Sequence, residues 1–150
     1  MESATLAHSN GAVGRSRAPA VDGSAAGSLH LTLPALPESV GVVRHALGGV
    51  GSALGLDEER LASVRLAVTE ACTNVVRHAY GDEPGPLEVV VRAGDDRLEV
   101  DVRDRGHGIV PRPRKGSLGL GLPLIAALTD RFLIARDREG ATVVSMAFTR

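Results

Sequence analysis

An α+β two-layer sandwich, with a mostly antiparallel sheet covered on one face by helices, is the fold class that this sequence predicts. Three observations carry that prediction. Segments of period-two alternation occur in adjacent pairs joined by short turn signals, the pattern of antiparallel hairpins. Segments with helical spacing lie between those pairs, without the regular strand–helix alternation that builds a parallel sheet. Hydrophobic residues make up 43% of the chain, yet it has one Tyr, two Phe and no Trp, so its core must be a layer of many modest aliphatic side chains.

Residues 1 to 28 are rich in Ser, Gly and Ala and lack periodic hydrophobics. They cannot bury enough apolar surface to offset the entropy of ordering them, and a flexible tail is expected there, followed by one domain over 29 to 150. In "LHLTL", Leu29 to Leu33, the alternation predicts a short strand, which Pro34 and Pro37 stop. Val40, Val43, Leu47, Val50 and Leu54 then recur at helical spacing, although Gly48, Gly49 and Gly51 each weaken a helix by up to ~1 kcal/mol relative to Ala. Asp57 is suited to cap a second helix, with Glu58 and Glu59 placed where the helix dipole favours acids, and the pattern runs to about Ala79 before Gly81 and Pro84. Leu61, Val64, Val68, Ala71, Cys72, Val75 and Ala79 form its core-facing stripe, and Glu70, Asn74 and Arg77 fall on the opposite side.

"LEVVVRAG" and "RLEVDVRD", joined through Gly94-Asp95-Asp96, predict a hairpin with Leu98, Val100 and Val102 on one face. After a loop-like stretch, "GLGLPLIAALTD" predicts a third helix with Pro123 in its first turn, and "RFLIARD" and "TVVSMAF" predict a last hairpin around Arg138-Glu139-Gly140.

Seventeen Lys and Arg against eighteen Asp and Glu leave a net charge of −1, which offers no electrostatic footprint for direct nucleic-acid binding and no polybasic membrane anchor. No run of about 18 apolar residues or secretory leader occurs, so no membrane span is expected. A single cysteine, Cys72, cannot form an internal disulfide, and together these features predict a cytoplasmic protein.

Three segments carry residue types suited to chemistry. Glu70 and Asn74 lie one helical turn apart, so a carboxylate able to accept a proton and an amide oxygen suited to a hard cation can face one ligand; solvation of a wet helix face is the alternative. In "DRGHG" a strand ends at Asp104, and Gly106 and Gly108 allow the backbone to approach a flat ligand closely, with Asp104 available to an exocyclic amine; a simple turn is the alternative. In "GSLGLGL", Gly116, Gly119 and Gly121 precede a helix whose free N–H groups suit a phosphate, with Arg112, Arg114 and Lys115 adding positive charge. Neither a G-x-G-x-x-G nor a P-loop pattern is completed there.

Taken together and in this order, the segments resemble the Bergerat-fold or GHKL ATPases, and "LAVTEACTNVVRHAY" resembles their bacterial anti-sigma-factor serine/threonine kinases. The resemblance covers about Leu29 to Arg150. It implies that Glu70 is the general base toward a protein serine, that Asn74 ligates Mg²⁺ between the phosphates of ATP, and that Asp104 binds the adenine amine. Gly106 and Gly108 would shape the adenine pocket, with Gly119, Leu120 and Gly121 offering backbone N–H groups to the phosphates beside Lys115. The implied partners are a STAS-type anti-anti-sigma protein and a sigma factor, with a homodimer as the assembly. Only ten residues, Ile109 to Leu118, separate the glycine boxes, a shorter lid than these kinases usually carry. That departure supports an alternative, an ATP-binding regulatory module without kinase activity.

Overall fold

A computed structural model describes residues 27–107 and 121–150. Of the tail expected at 1–28, residues 1–26 lie outside the described residues, and Gly27 and Ser28 instead open the first strand, where they pair with Ala93 and Arg92. The elements run β1 (Gly27–Pro34), α1 (Pro37–Ala53), α2 (Glu58–Asn74) with a π-helical turn (Val75–Ala79), β2 (Pro86–Ala93), β3 (Arg97–Asp104), α3 (Gly121–Leu128), β4 (Arg131–Arg136) and β5 (Thr142–Thr149). The five strands form one sheet in the order β1-β2-β3-β5-β4. Every neighbouring pair is antiparallel. The helices pack on one face, so the α+β two-layer class is the observed one.

Strand alternation positions the core. Leu87, Val89, Val91 and Ala93 of β2 are buried, as are Leu98, Val100 and Val102 of β3 and Val144, Met146 and Phe148 of β5. They meet Val43 and Leu47 of α1, the stripe of α2 and Ile125 of α3. The β2–β3 hairpin closes with the Gly94 N–H donating to the Arg97 carbonyl at 2.9 Å. On the opposite sheet face Arg92 pairs with Asp101 and Glu99, and Arg103 with Glu88, Asp137 and Glu139, which keeps that surface polar.

Helix ends follow from local chemistry. The Asp57 carboxylate accepts the Arg60 N–H at 2.7 Å, capping α2, an interaction whose loss typically costs about 1 kcal/mol. Pro37 opens α1, and its C-terminus closes at Gly55, φ 65°, with the Leu56 N–H reaching back to the Gly51 carbonyl at 3.0 Å. That bond and the left-handed Gly55 form a Schellman-type cap. Gly51 of α1 carries a packing role that offsets its cost in propensity, whereas Gly41 and Gly49 have open space at the Cβ position. A Cβ on Gly51 would stand 2.5 Å from Leu61 Cδ1, so this glycine is what lets α2 close on α1.

Every residue expected on the α2 stripe is buried, from Leu61 to Ala79. The other face departs from expectation. Arg77 is exposed, but Glu70 and Asn74 are half-buried, because α3 docks along this side of α2. A helical wheel registers the core stripe of one helix and is blind to the partner on its flank. The α2 pattern reaches Ala79 as expected, with its last turn widened into a π-helix. Such turns often occur beside functional sites.

Cys72 is fully buried within the core, and burial pushes its thiol up to about 12. Iodoacetamide at pH 8 is therefore expected to leave Cys72 unmodified in the folded protein and to label it once denaturant unfolds the chain. Mass spectrometry across a urea titration checks this; labelling in native buffer would contradict the burial. Cys72→Ser places a hydroxyl among aliphatic side chains and is expected to lower stability by about 1–3 kcal/mol, read from urea midpoints.

Candidate functional site

The inward-facing positions of β3 and β5 are apolar along most of their length and then turn polar at one end of the sheet. In β3 the buried series continues from Leu98, Val100 and Val102 to Asp104, which is 6% exposed. In β5 the series Phe148, Met146 and Val144 ends at Thr142, which is 3% exposed. Asp104 and Thr142 are direct partners across the two strands, so a carboxylate and a hydroxyl stand side by side at the margin of the core.

The two groups are matched unequally among the described residues. The Gly106 N–H donates to Asp104 Oδ1 at 2.9 Å, and no described residue donates to Oδ2. The Thr142 hydroxyl is buried without a hydrogen-bond partner among the described residues. Buried polar groups are rarely left so, since each costs roughly 1–3 kcal/mol when unpaired. An acceptor and a donor-acceptor hydroxyl facing one spot suit the polar edge of a base. Thr142 was not among the site residues expected from sequence; its signal lay in the shared parity of 142, 144, 146 and 148, which places it on the buried face.

Burial raises the pKa of Asp104, an effect opposed by the Gly106 N–H and by the positive charge of Arg136. The Arg136 guanidinium also donates to the His107 carbonyl at 3.0 Å. On the other flank the His107 N–H donates to the Ala79 carbonyl at 2.8 Å, so the segment after Asp104 is tied to the end of the π-turn. Gly106 lies within that tie. A Cβ on it would fall 1.9 Å from the Ala79 carbonyl oxygen, a backbone atom that cannot swing aside. Gly106→Ala is accordingly expected to displace the segment, with a loss of about 1–3 kcal/mol, the usual cost of overpacking. Thermal denaturation reads the stability loss, and an unchanged melting temperature would contradict the close approach.

The helix pair and the second glycine box also meet. A Cβ on Gly121 would stand 3.2 Å from both Oδ1 and Nδ2 of Asn74, which places the start of α3 directly against that amide. Glu70 lies one turn before Asn74 on α2 and is half-buried. The structure thus brings Asn74 to Gly121, and Asp104 to Gly106 beside the end of the same helix. Gly108, Lys115, Gly119 and Leu120 lie outside the described residues, as do Arg112, Arg114 and Gly116.

The open antiparallel sheet thus ends in the polar pair of Asp104 and Thr142, with an acid and an amide on the neighbouring helix α2, an arrangement suited to a nucleotide. Known proteins agree. The profile of the histidine kinase-like ATPase domain matches residues 33–148. The serine-protein kinase RsbW of Bacillus velezensis is 38% identical over 132 residues, covering 77% of this chain and 81% of that protein. The serine-protein kinase RsbW of Bacillus licheniformis is 35% identical over 141 residues, covering 83% and 87%. Among solved structures, the RsbU and RsbW domains of a Mycobacterium tuberculosis protein superpose with a TM-score of 0.66 at 26% identity, over 83% of this chain and 33% of that one. The SiaB–SiaC complex of Pseudomonas aeruginosa shares the fold, with a TM-score of 0.63 at 17% identity over 80% of this chain and 88% of that one. The chain belongs to the histidine kinase-like ATPase domain family, within its branch of RsbW-type serine-protein kinases.

Proposed function

We propose that the protein transfers the terminal phosphoryl group of Mg-ATP to a serine of a STAS-type anti-anti-sigma protein and, as an anti-sigma factor, binds a sigma factor. The observation that carries the nucleotide reading is the buried pair of Asp104 and Thr142 at the end of the sheet, the Thr142 hydroxyl having no hydrogen-bond partner among the described residues. Asp104 accepts from the exocyclic amine of adenine and Thr142 completes the polar edge, while Gly106, packed against the Ala79 carbonyl, shapes the border of the base pocket. A guanine would set an oxygen where that amine belongs, against a carboxylate.

Asn74, at the end of α2 and against the start of α3, is assigned to ligate Mg²⁺. No cluster of three or more His, Cys, Asp or Glu side chains suited to a metal occurs among the described residues, so such an ion would take its other ligands from phosphate oxygens and water, the habit of Mg²⁺. When bound, the metal neutralises charge that develops on the phosphates. Glu70, one turn away, accepts the proton of the attacking serine hydroxyl. Gly108, Gly119, Leu120, Gly121 and Lys115 are assigned to base and phosphate contacts on the strength of their box positions. Membership among the RsbW-type kinases supports the choice of a protein serine as acceptor. Among the described residues no helix is long and apolar enough to cross a membrane, and a cytoplasmic homodimer is the proposed form.

The reading is tested by incubating the purified protein with γ-labelled Mg-ATP and a candidate STAS protein. Label on a single serine of the partner is expected, with none when that serine is replaced by Ala. Saturable ATP binding without transfer to any STAS candidate would favour the non-catalytic regulatory reading instead.

A further inference from the structure

Tyr80 follows the π-turn directly, and its ring lies against Gly85, where a Cβ would come within 2.1 Å of the ring edge. The Tyr80 hydroxyl donates to the Pro86 carbonyl at 2.5 Å and accepts the Arg105 N–H at 2.9 Å. It therefore bridges the first residue of β2 to the residue immediately after Asp104. The next N–H along, that of Gly106, donates to Asp104 Oδ1 and sets the orientation of the carboxylate. Three consecutive N–H groups are thus committed: Arg105 to the phenol, Gly106 to Asp104, and His107 to the Ala79 carbonyl.

Two of these three bonds fix a short backbone arc to the end of the base-bearing helix, and the third aims the carboxylate. The Ala79 contact is made by backbone and is indifferent to side-chain identity. The phenol is the side-chain half of the clamp, and only a hydroxyl at that reach can serve Pro86 and Arg105 together. We propose that Tyr80 is a specificity-determining positioning residue, whose hydroxyl holds the Arg105–Gly106 backbone so that Asp104 discriminates adenine from guanine.

This rests on the nucleotide reading above and adds a residue that does not touch the base. Burial is the largest of the influences that raise the pKa of the Tyr80 hydroxyl, with the Asp104 charge among the others, so it remains a donor to Pro86 at neutral pH. Loss of the hydroxyl leaves the ring against Gly85 in place. It also leaves the Arg105 N–H to water and releases the arc that orients Asp104.

The test compares wild type and Tyr80→Phe by calorimetric titration with Mg-ATP and with Mg-GTP, alongside thermal denaturation of each protein. Wild type is expected to prefer ATP, and Tyr80→Phe to reduce the ATP-to-GTP affinity ratio by about fivefold, the worth of one hydrogen bond. Phosphotransfer at saturating ATP should keep its wild-type rate while the KM for ATP rises. A purely structural tyrosine would lower the melting temperature and weaken both nucleotides alike, leaving the ratio unchanged, and that outcome overturns the proposal. A wild-type protein that binds ATP with preference while the variant retains the full preference overturns this inference alone. A wild-type protein that binds neither nucleotide overturns the nucleotide reading as well.

Discussion

Glu70→Gln is expected to bind Mg-ATP with nearly wild-type affinity while its rate of phosphoryl transfer to the partner serine falls by about 10²–10⁴-fold, the range that general-base catalysis contributes. Glutamine keeps the size and polarity of the side chain on a half-buried face of α2, so packing against α3 is preserved. What it lacks is a carboxylate able to take the proton of the serine hydroxyl. The effect should therefore appear in kcat, with little change in the KM for ATP. Single-turnover transfer measured at saturating ATP checks this. Wild-type transfer by the Gln variant would remove Glu70 from its assigned role and would shift attention to Asn74 and the phosphate contacts.

The second large effect concerns Asp104. Asp104→Ala deletes the acceptor that faces the base and is expected to weaken Mg-ATP binding by roughly 10–100-fold, the worth of a hydrogen bond to a charged group. The same carboxylate acts on stability in the opposite direction. Burial raises its pKa above the ordinary carboxylate value, so the folded state holds a proton at pH values where the unfolded chain has released it. Stability then declines as pH rises from the ordinary carboxylate range through the folded pKa, and the deficit persists above it. Asp104→Asn removes that deficit. Without nucleotide the Asn variant should melt at or above the wild-type temperature at pH 7, with the advantage shrinking as pH falls through the folded pKa toward the ordinary carboxylate value of about 4. Its nucleotide affinity should nevertheless be lower. A melting temperature well below wild type at pH 7 would contradict this account of a carboxylate kept for binding at a cost in stability.

Much of this architecture was legible in the order of the residues. The hairpins followed from alternation, α2 from its capping Asp57 and its apolar stripe, and the family from three short boxes in sequence. Asp104 could be read as the polar end of a buried strand face because Leu98, Val100 and Val102 share its parity. Parity with Val144, Met146 and Phe148 likewise puts Thr142 on the buried face, but a threonine that opens a strand is equally a β-branched residue in its preferred setting, so parity alone does not mark it as a site residue. Only the register of β3 against β5 places it beside Asp104.

Other features depend on contacts between elements distant in sequence, which periodicity does not encode. The half-burial of Glu70 and Asn74 comes from the docking of α3 along α2. Gly51 reads as a weak point of α1 and proves to be the seat of Leu61. Tyr80 reads as the end of a helix, and its bridging of Pro86 to Arg105 depends on a turn and a strand end brought together by the fold.

The central claim is that Asp104, Thr142, Gly106 and Asn74 line one pocket for Mg-ATP. Isothermal titration of the wild-type protein with Mg-ATP, in parallel with Asp104→Ala, tests it most directly. Saturable binding of one nucleotide per chain by the wild type, weakened at least tenfold in the variant, is the predicted result; titrations with no measurable binding by either protein would contradict it.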